Sequence, residues 1–128
     1  MRRYHQKVFD DFVQGTTAVY SDSQSEDKLG EPDFAILSAV VSDASASGTL
    51  ALTVTQEDSP DRVYWMSSSN TPIEAEQLTS GTVEVFGGQI YPATGFLRLR
   101  IELAGTSPKA RLALYVTGRD QNTRGPAS

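Results

Sequence analysis

Three segments alternate strictly between apolar and polar residues. That period of two commits each to a strand with one buried and one solvated face, because successive side chains leave a strand on opposite sides. In residues 49–56, Leu50, Leu52 and Val54 share one face while Thr53 and Thr55 lie on the other. In residues 96–103, Leu97, Leu99, Ile101 and Leu103 oppose Arg98, Arg100 and Glu102. In residues 111–118, Leu112, Leu114 and Val116 oppose Ala113, Tyr115 and Thr117. The expected core is therefore Leu50, Leu52, Val54, Leu97, Leu99, Ile101, Leu112, Leu114 and Val116, with Arg98 and Arg100 facing solvent or a partner.

Weaker extended runs cover residues 16–21, 34–42, 62–67 and 82–86, with a short one at 89–91. Residues 34–41 are apolar on both faces, which suits a central strand covered on each side or a subunit contact. Turn residues separate the runs at 46–48, 58–61, 69–72, 80–81, Gly87-Gly88, 92–95 and 105–108. No segment sustains a period of 3.6. A chain of 128 residues encloses one modest core. The expected fold is all-β: a single antiparallel β-sandwich, jelly-roll-like, of about seven or eight strands. A hairpin joining the last two runs, with Leu103 opposite Ala110 and Glu102 opposite Arg111, keeps their apolar faces matched, whereas a one-residue slip would turn them to water.

The organisation read from the sequence is an N-terminal arm and polar loop at residues 1–33, a β-sandwich at 34–119 and a tail at 120–128. Residues 1–7 carry Arg2, Arg3 and Lys7, whereas residues 22–33 carry five acids against Lys28. Between them, Val8, Phe9, Phe12 and Val13 suit either an extended arm or one face of a two-turn helix ended by Gly15. Such stretches bury too little surface to order alone. The arm is thus expected to order against a partner, and deletion of residues 1–15 to leave the sandwich folded.

Eleven Lys and Arg against sixteen Asp and Glu give a net charge of -5, which disfavours nucleic-acid binding through a broadly basic surface. No apolar run approaches the roughly 20 residues that span a bilayer, and residues 1–7 lead into no signal-peptide core, so a membrane-spanning or secreted protein is not expected. Without cysteine there is no disulfide, thiolate metal site or cysteine nucleophile. His5 is the one histidine and sits in the arm. A nucleophile elbow, a phosphate-binding glycine motif and a zinc motif are absent. Glu57, Asp58 and Asp61 could in principle ligate calcium, but Ser59-Pro60-Asp61 already accounts for itself as a turn. Residues 59–65 approach a sialidase Asp-box, yet the glycine is missing and Trp65 comes one position early. These residues assign no catalytic group, cofactor or metal, and the chain is not expected to be an enzyme. Arg98, Arg100, Lys109 and Arg111, with Tyr115, would form a basic patch on the outward face of the last hairpin, open to a partner or paired with Glu84 and Glu102. Tyr64, Trp65, Tyr91 and Tyr115 could stack on sugars.

Several fragments in order carry a resemblance: Thr49-Leu50-Ala51-Leu52-Thr53-Val54 leading to Asp58-Ser59-Pro60-Asp61 and Trp65, then Gly95-Phe96-Leu97-Arg98-Leu99-Arg100, Gly105-Thr106-Ser107-Pro108 and Val116-Thr117-Gly118-Arg119. Over residues 34–119 the chain resembles small β-sandwich virion proteins of tailed bacteriophages. It departs from them at Arg62, where glycine is usual, so that turn reaches left-handed geometry less cheaply. The resemblance implies a structural role in the virion, assembled in the host cytoplasm: a capsid decoration or cement protein, or a neck or tail component. Its partners would be the major capsid protein or other virion proteins and further copies of itself, as a trimer in many decoration proteins. The partner-contact candidates are Arg2, Arg3, Tyr4, Phe9, Phe12, Arg98, Arg100, Arg111 and Tyr115. The alternative is a carbohydrate- or receptor-binding module.

Overall fold

The computed structural model describes residues 3–22, 24–25, 34–68, 70–91 and 95–119. Their strands are β1 (Arg3–Gln14), β2 (Val19–Tyr20), β3 (Gln24–Ser25), β4 (Phe34–Ser59), β5 (Met66–Ser67), β6 (Ile73–Gln77), β7 (Glu84–Ile90) and β8 (Phe96–Arg119). All pairings are antiparallel. The backbone of the fold is a two-stranded ribbon. β4 and β8 pair along their whole length, from Phe34 opposite Arg119 to Ser59 opposite Phe96.

The ribbon turns a corner between Ser42 and Ala51, where its register shifts three times. Asp43, Gly48, Gly105 and Ser107 have positive φ there. Gly105 is needed for a second reason: a Cβ on it would lie 2.6 Å from the Thr49 carbonyl oxygen, closer than a side chain can approach. Beyond the corner the two halves fold into facing layers. The first layer holds β1, residues 111–119, residues 34–42 and β7; the second holds β2, β3, residues 96–104, residues 51–59, β5 and β6. Leu37, Ala39, Val41, Leu112, Leu114 and Val116 of the first layer join Leu50, Leu52, Val54, Leu97, Leu99, Ile101 and Leu103 of the second in one buried cluster. The expected all-β sandwich and all nine expected core residues are found.

The expected hairpin is corrected. Leu103 pairs with Leu52 rather than Ala110, and Arg111 with Ser42 rather than Glu102. Residues 46–48 and 105–108 are corners within continuous strands, not turns between strands. Glycine and small polar residues serve both purposes, so the local signal is the same and only the pairing partner distinguishes them.

The expected N-terminal arm, and its helical alternative, are corrected over residues 3–14. They form β1, an edge strand hydrogen-bonded to residues 109–119. The pairing passes from Lys7–Tyr115 to Phe9–Leu114, leaving Val8 as the extra residue of a bulge. Val8 and Val13 are buried in the core, and Phe9 packs against it. An apolar side chain out of strict alternation reads as helical in sequence, whereas here the bulge supplies the phase change. The acidic positions 26–33 and the tail 120–128 lie outside the described residues.

Gly87-Gly88 is likewise not a turn; it lies inside β7, which merges the runs expected at 82–86 and 89–91. A Cβ on Gly88 would fall 2.0 Å from the Pro72 carbonyl oxygen, so glycine there records a close backbone crossing. The runs expected at 16–21 and 62–67 shrink to the two-residue strands β2 and β5. β6 was not foreseen. Only Ile73 of its five residues is buried, and a bulge at Glu74-Ala75 opposite Thr53 erases its alternation. Arg62 does adopt the left-handed conformation, with φ of 67°.

Candidate binding surfaces

The two outer faces of the sandwich differ in chemistry. On the second layer, cross-strand pairing places Glu57 directly opposite Arg98. Arg98 Nε donates to Glu57 Oε1 at 2.8 Å. Its guanidinium also lies 3.9 Å from the centre of the Tyr20 ring and 4.4 Å from that of Trp65. Two aromatic faces and a carboxylate thus hold one cation that remains partly exposed. Arg100 reaches Glu102 at 3.5 Å, while its buried Nε has no hydrogen-bond partner among the described residues. Arg62 lies over the Phe96 ring at 5.1 Å. Tyr64, 76% exposed, extends from the adjoining turn.

On the first layer, charge gathers at the β1 edge. Asp10 accepts from Lys7 at 3.0 Å and from Arg111 at 2.6 Å. The hydrogen bond and the charge of Asp10 raise the Lys7 pKa, and the bond from Lys7 holds Asp10 below the usual carboxylate range. Phe12 lies beside Lys109 and Arg111, and His5 stacks on Tyr115 with ring centres 5.3 Å apart. Toward β7 the same face loses its charge. Ile36, Val83 and Val85 are exposed there, among small neighbours Ser38 and Gly87.

The acidic turn resolves into three unlike carboxylates. Glu57 points outward to Arg98. Asp58 points inward, where burial raises its pKa against the opposing hydrogen bond from Gln56. Asp61 Oδ1 accepts the backbone N–H groups of Val63 and Tyr64, which lower its pKa. Carboxylates aimed in three directions do not converge on one cation. Among the described residues no group of three or more metal-ligating side chains forms. A cleft of about 420 Å³ at the ribbon corner is lined by Gln14, Gly15, Ser45, Ser107, Pro108 and Lys109, and lacks a paired acid and base.

The expected basic patch is therefore divided. Arg98 and Arg100 face out from the second layer, whereas Lys109, Arg111 and Tyr115 belong to the first, because β8 passes between layers at the corner. Phe9 packs on the core and is not a free anchor, while Phe12 stays 41% exposed. Arg3 and Tyr4 pair through their backbones with Arg119 and Gly118, and Arg2 lies outside the described residues. The sequence did not single out Tyr20 or Glu57 as partners of Arg98. Only the pairing of β2 and β4 on either side of β8 joins them.

No protein-family model and no curated protein matches the chain. Solved structures share its fold. A chain of infectious bursal disease virus, Gx strain, matches with a TM-score of 0.62 at 16% identity, over 94% of this chain and 33% of that one. The VP2 subviral particle of the same virus matches at 0.60 and 16% identity, over 94% and 33%. The C-terminal family 22 carbohydrate-binding module of Clostridium thermocellum Xyn10B matches at 0.61 and 8% identity, over 89% of this chain and 74% of that one. The PBSX exported protein XepA matches at 0.56 and 13% identity, over 94% and 38%. The chain spans about a third of the viral chains it matches. At these identities the likeness establishes a shared β-sandwich fold.

Proposed function

We propose that this chain is a non-enzymatic structural protein of a virus particle, and specifically a capsid decoration or head-associated protein of a tailed bacteriophage. It would bind the lattice of the major capsid protein and stabilise it. The observation that carries this reading is the match of nearly the whole chain to a fold used in viral particles. The outer face of the first layer supports it. Ile36, Val83 and Val85 are exposed apolar side chains on the β4–β7 half of that face, and the Asp10–Arg111 pair lies on its β1–β8 half, a juxtaposition of apolar and charged surface of the kind protein partners use. On a repeating lattice, weak contacts of this kind are multiplied by copy number. Co-sedimentation with purified, undecorated capsids tests the proposal: the chain should pellet with them in saturable stoichiometry, and Val85→Asp should abolish the effect. A chain left in the supernatant at every capsid concentration would refute it.

A second reading, a carbohydrate-binding module, is favoured by the match to most of the family 22 module. Arg98 already occupies one face each of Tyr20 and Trp65, so Tyr64 and Tyr91 are the rings left to stack on a sugar. A glycan array separates the readings, since only this one predicts a signal that Tyr64→Ala removes.

A further inference from the structure

A sheet edge exposes a row of backbone donors and acceptors, and natural edges are blunted by charge, bulges, proline or brevity. Among the described residues, the edges of this sandwich follow that rule with one exception. β1 carries the Val8 bulge together with Lys7, Asp10 and Asp11. β6 carries the Glu74-Ala75 bulge and a second glutamate, Glu76. β2, β3 and β5 are two residues long. β7 has none of these devices: it runs for seven residues, its one charge is Glu84 at the start, and it contains no proline. Among the described residues it pairs only with β4.

The direction of its free groups follows from the bonds it does make. Gln89 O accepts from Asn70 Nδ2, and both Tyr91 N and Tyr91 O bond to the Gln56 amide, so these odd-numbered residues turn away from β4. Alternation along a strand turns Val85 and Gly87 the same way. From Gly88 onward the edge is covered by Asn70 and Pro72. Among the described residues it is open at Val85–Gly87. Val83 and Val85, 69% and 67% exposed, stand beside that opening.

We propose that β7 is a self-association edge, pairing antiparallel with β7 of a second copy of this chain around a two-fold axis near Phe86. The unpaired backbone groups call for a strand, and charge selects a second copy. A chain of net charge -5 repels itself over most of its surface, but this edge carries only Glu84, whose carboxylate accepts from the Thr79 N–H, and its open stretch is uncharged. In antiparallel pairing about Phe86 the two Glu84 residues lie at opposite ends, each facing Gly88 of the other copy. The two-fold operation is self-complementary, joins the two first layers into one wider sheet, and sets Val85 of each copy opposite Gly87 of the other, with the two Val85 side chains diagonal to one another on the same face. A pairing this short buries less than a standard interface, so the dimer should be reversible and concentration-dependent.

Two variants test it on the full chain by sedimentation velocity. Gly87→Pro removes an outward N–H and no bond to β4, and a Cβ at this position meets only the Leu37 carbonyl oxygen, at an ordinary 3.4 Å. Val85→Lys places a charge on the edge. The unaltered chain should dimerise as concentration rises. Both variants should stay monomeric with melting temperatures unchanged in dilute solution, and should Gly87→Pro fail to fold, Val85→Lys decides. Hydrogen exchange should show the Val85 and Gly87 amides slowing as the dimer fills. A chain monomeric up to roughly 1 mM, or an oligomer of any order that Val85→Lys leaves intact, would overturn the inference. So would free exchange of those amides in a populated dimer.

Discussion

Gln56 bonds to Tyr91 as one strand bonds to another: its side-chain Nε2 donates to Tyr91 O at 2.8 Å, and its Oε1 accepts from Tyr91 N at 3.0 Å. Gln56 belongs to the second layer, whereas Tyr91 directly follows β7 of the first, so one fully buried amide ties the layers together. The same side chain donates to Asp58 and accepts from Asn70 Nδ2, which uses its hydrogen-bonding capacity in full. A satisfied buried network is stabilising only as a whole.

Gln56→Ala should therefore cost roughly 3 kcal/mol or more, since it takes the partner from both Tyr91 backbone groups and from buried Asp58, while Asn70 keeps its bond to Gln89 O. Denaturant melts measure it. Gln56→Glu keeps the shape but places a second carboxyl group beside Asp58, so its deficit should be large at neutral pH and smaller in acid.

Asp58 and Asp61 should give opposite pH signatures. Burial raises the Asp58 pKa above its ordinary 3.8, so its folded form holds the proton more tightly, and stability falls as pH rises through the raised value. Asp58→Asn, which keeps an acceptor for Gln56, should melt higher than the unaltered chain at pH 7 and alike near pH 3. The bonds from Tyr64 and Val63 N–H depress the Asp61 pKa, so its contribution is present above 3.8 and lost as pH falls through the depressed value. Asp61→Ala should melt lower at pH 7, the gap closing in acid.

The two neighbouring glycines of β7 should behave differently. Gly88→Ala drives a methyl group into the Pro72 backbone and should cost about 2–3 kcal/mol or prevent folding, because backbone cannot move aside as a flexible side chain can. Gly87→Ala, whose methyl group would meet only the Leu37 carbonyl oxygen at an ordinary contact distance of 3.4 Å, should change stability by no more than about 0.5 kcal/mol. Paired thermal melts decide it.

Leu99→Ala should cost about 2–5 kcal/mol, as for truncation of any fully buried leucine, while Thr55→Ala on the outer face should stay within about 0.5 kcal/mol. Equal losses at the two sites would mean the layer faces are misassigned.

Deletion of residues 1–15 should unfold or precipitate the protein rather than release a dispensable arm. It removes Val8 and Val13 from the core and uncovers the edge of residues 109–119. Circular dichroism of the truncated chain checks it.

The alternation of Leu50, Leu52 and Val54, of Leu97, Leu99 and Ile101, and of Leu112, Leu114 and Val116 determined the fold class and the buried faces, because side-chain direction in a strand depends only on local geometry. What stands next to what was decided by the tertiary structure. Gly105 and Gly88 look like turn glycines in isolation, yet one lets Thr49 cross at a ribbon corner and the other lets Pro72 lie on an edge strand. Val8 breaks alternation as a helix would, and only the pairing with residues 109–119 turns that break into a bulge. Arg98 was legible as an outward-facing cation, but its partners Tyr20, Glu57 and Trp65 come from 78, 41 and 33 positions away in sequence. Such contacts arise from strand pairing across the whole chain, and no local pattern encodes which strand becomes whose neighbour.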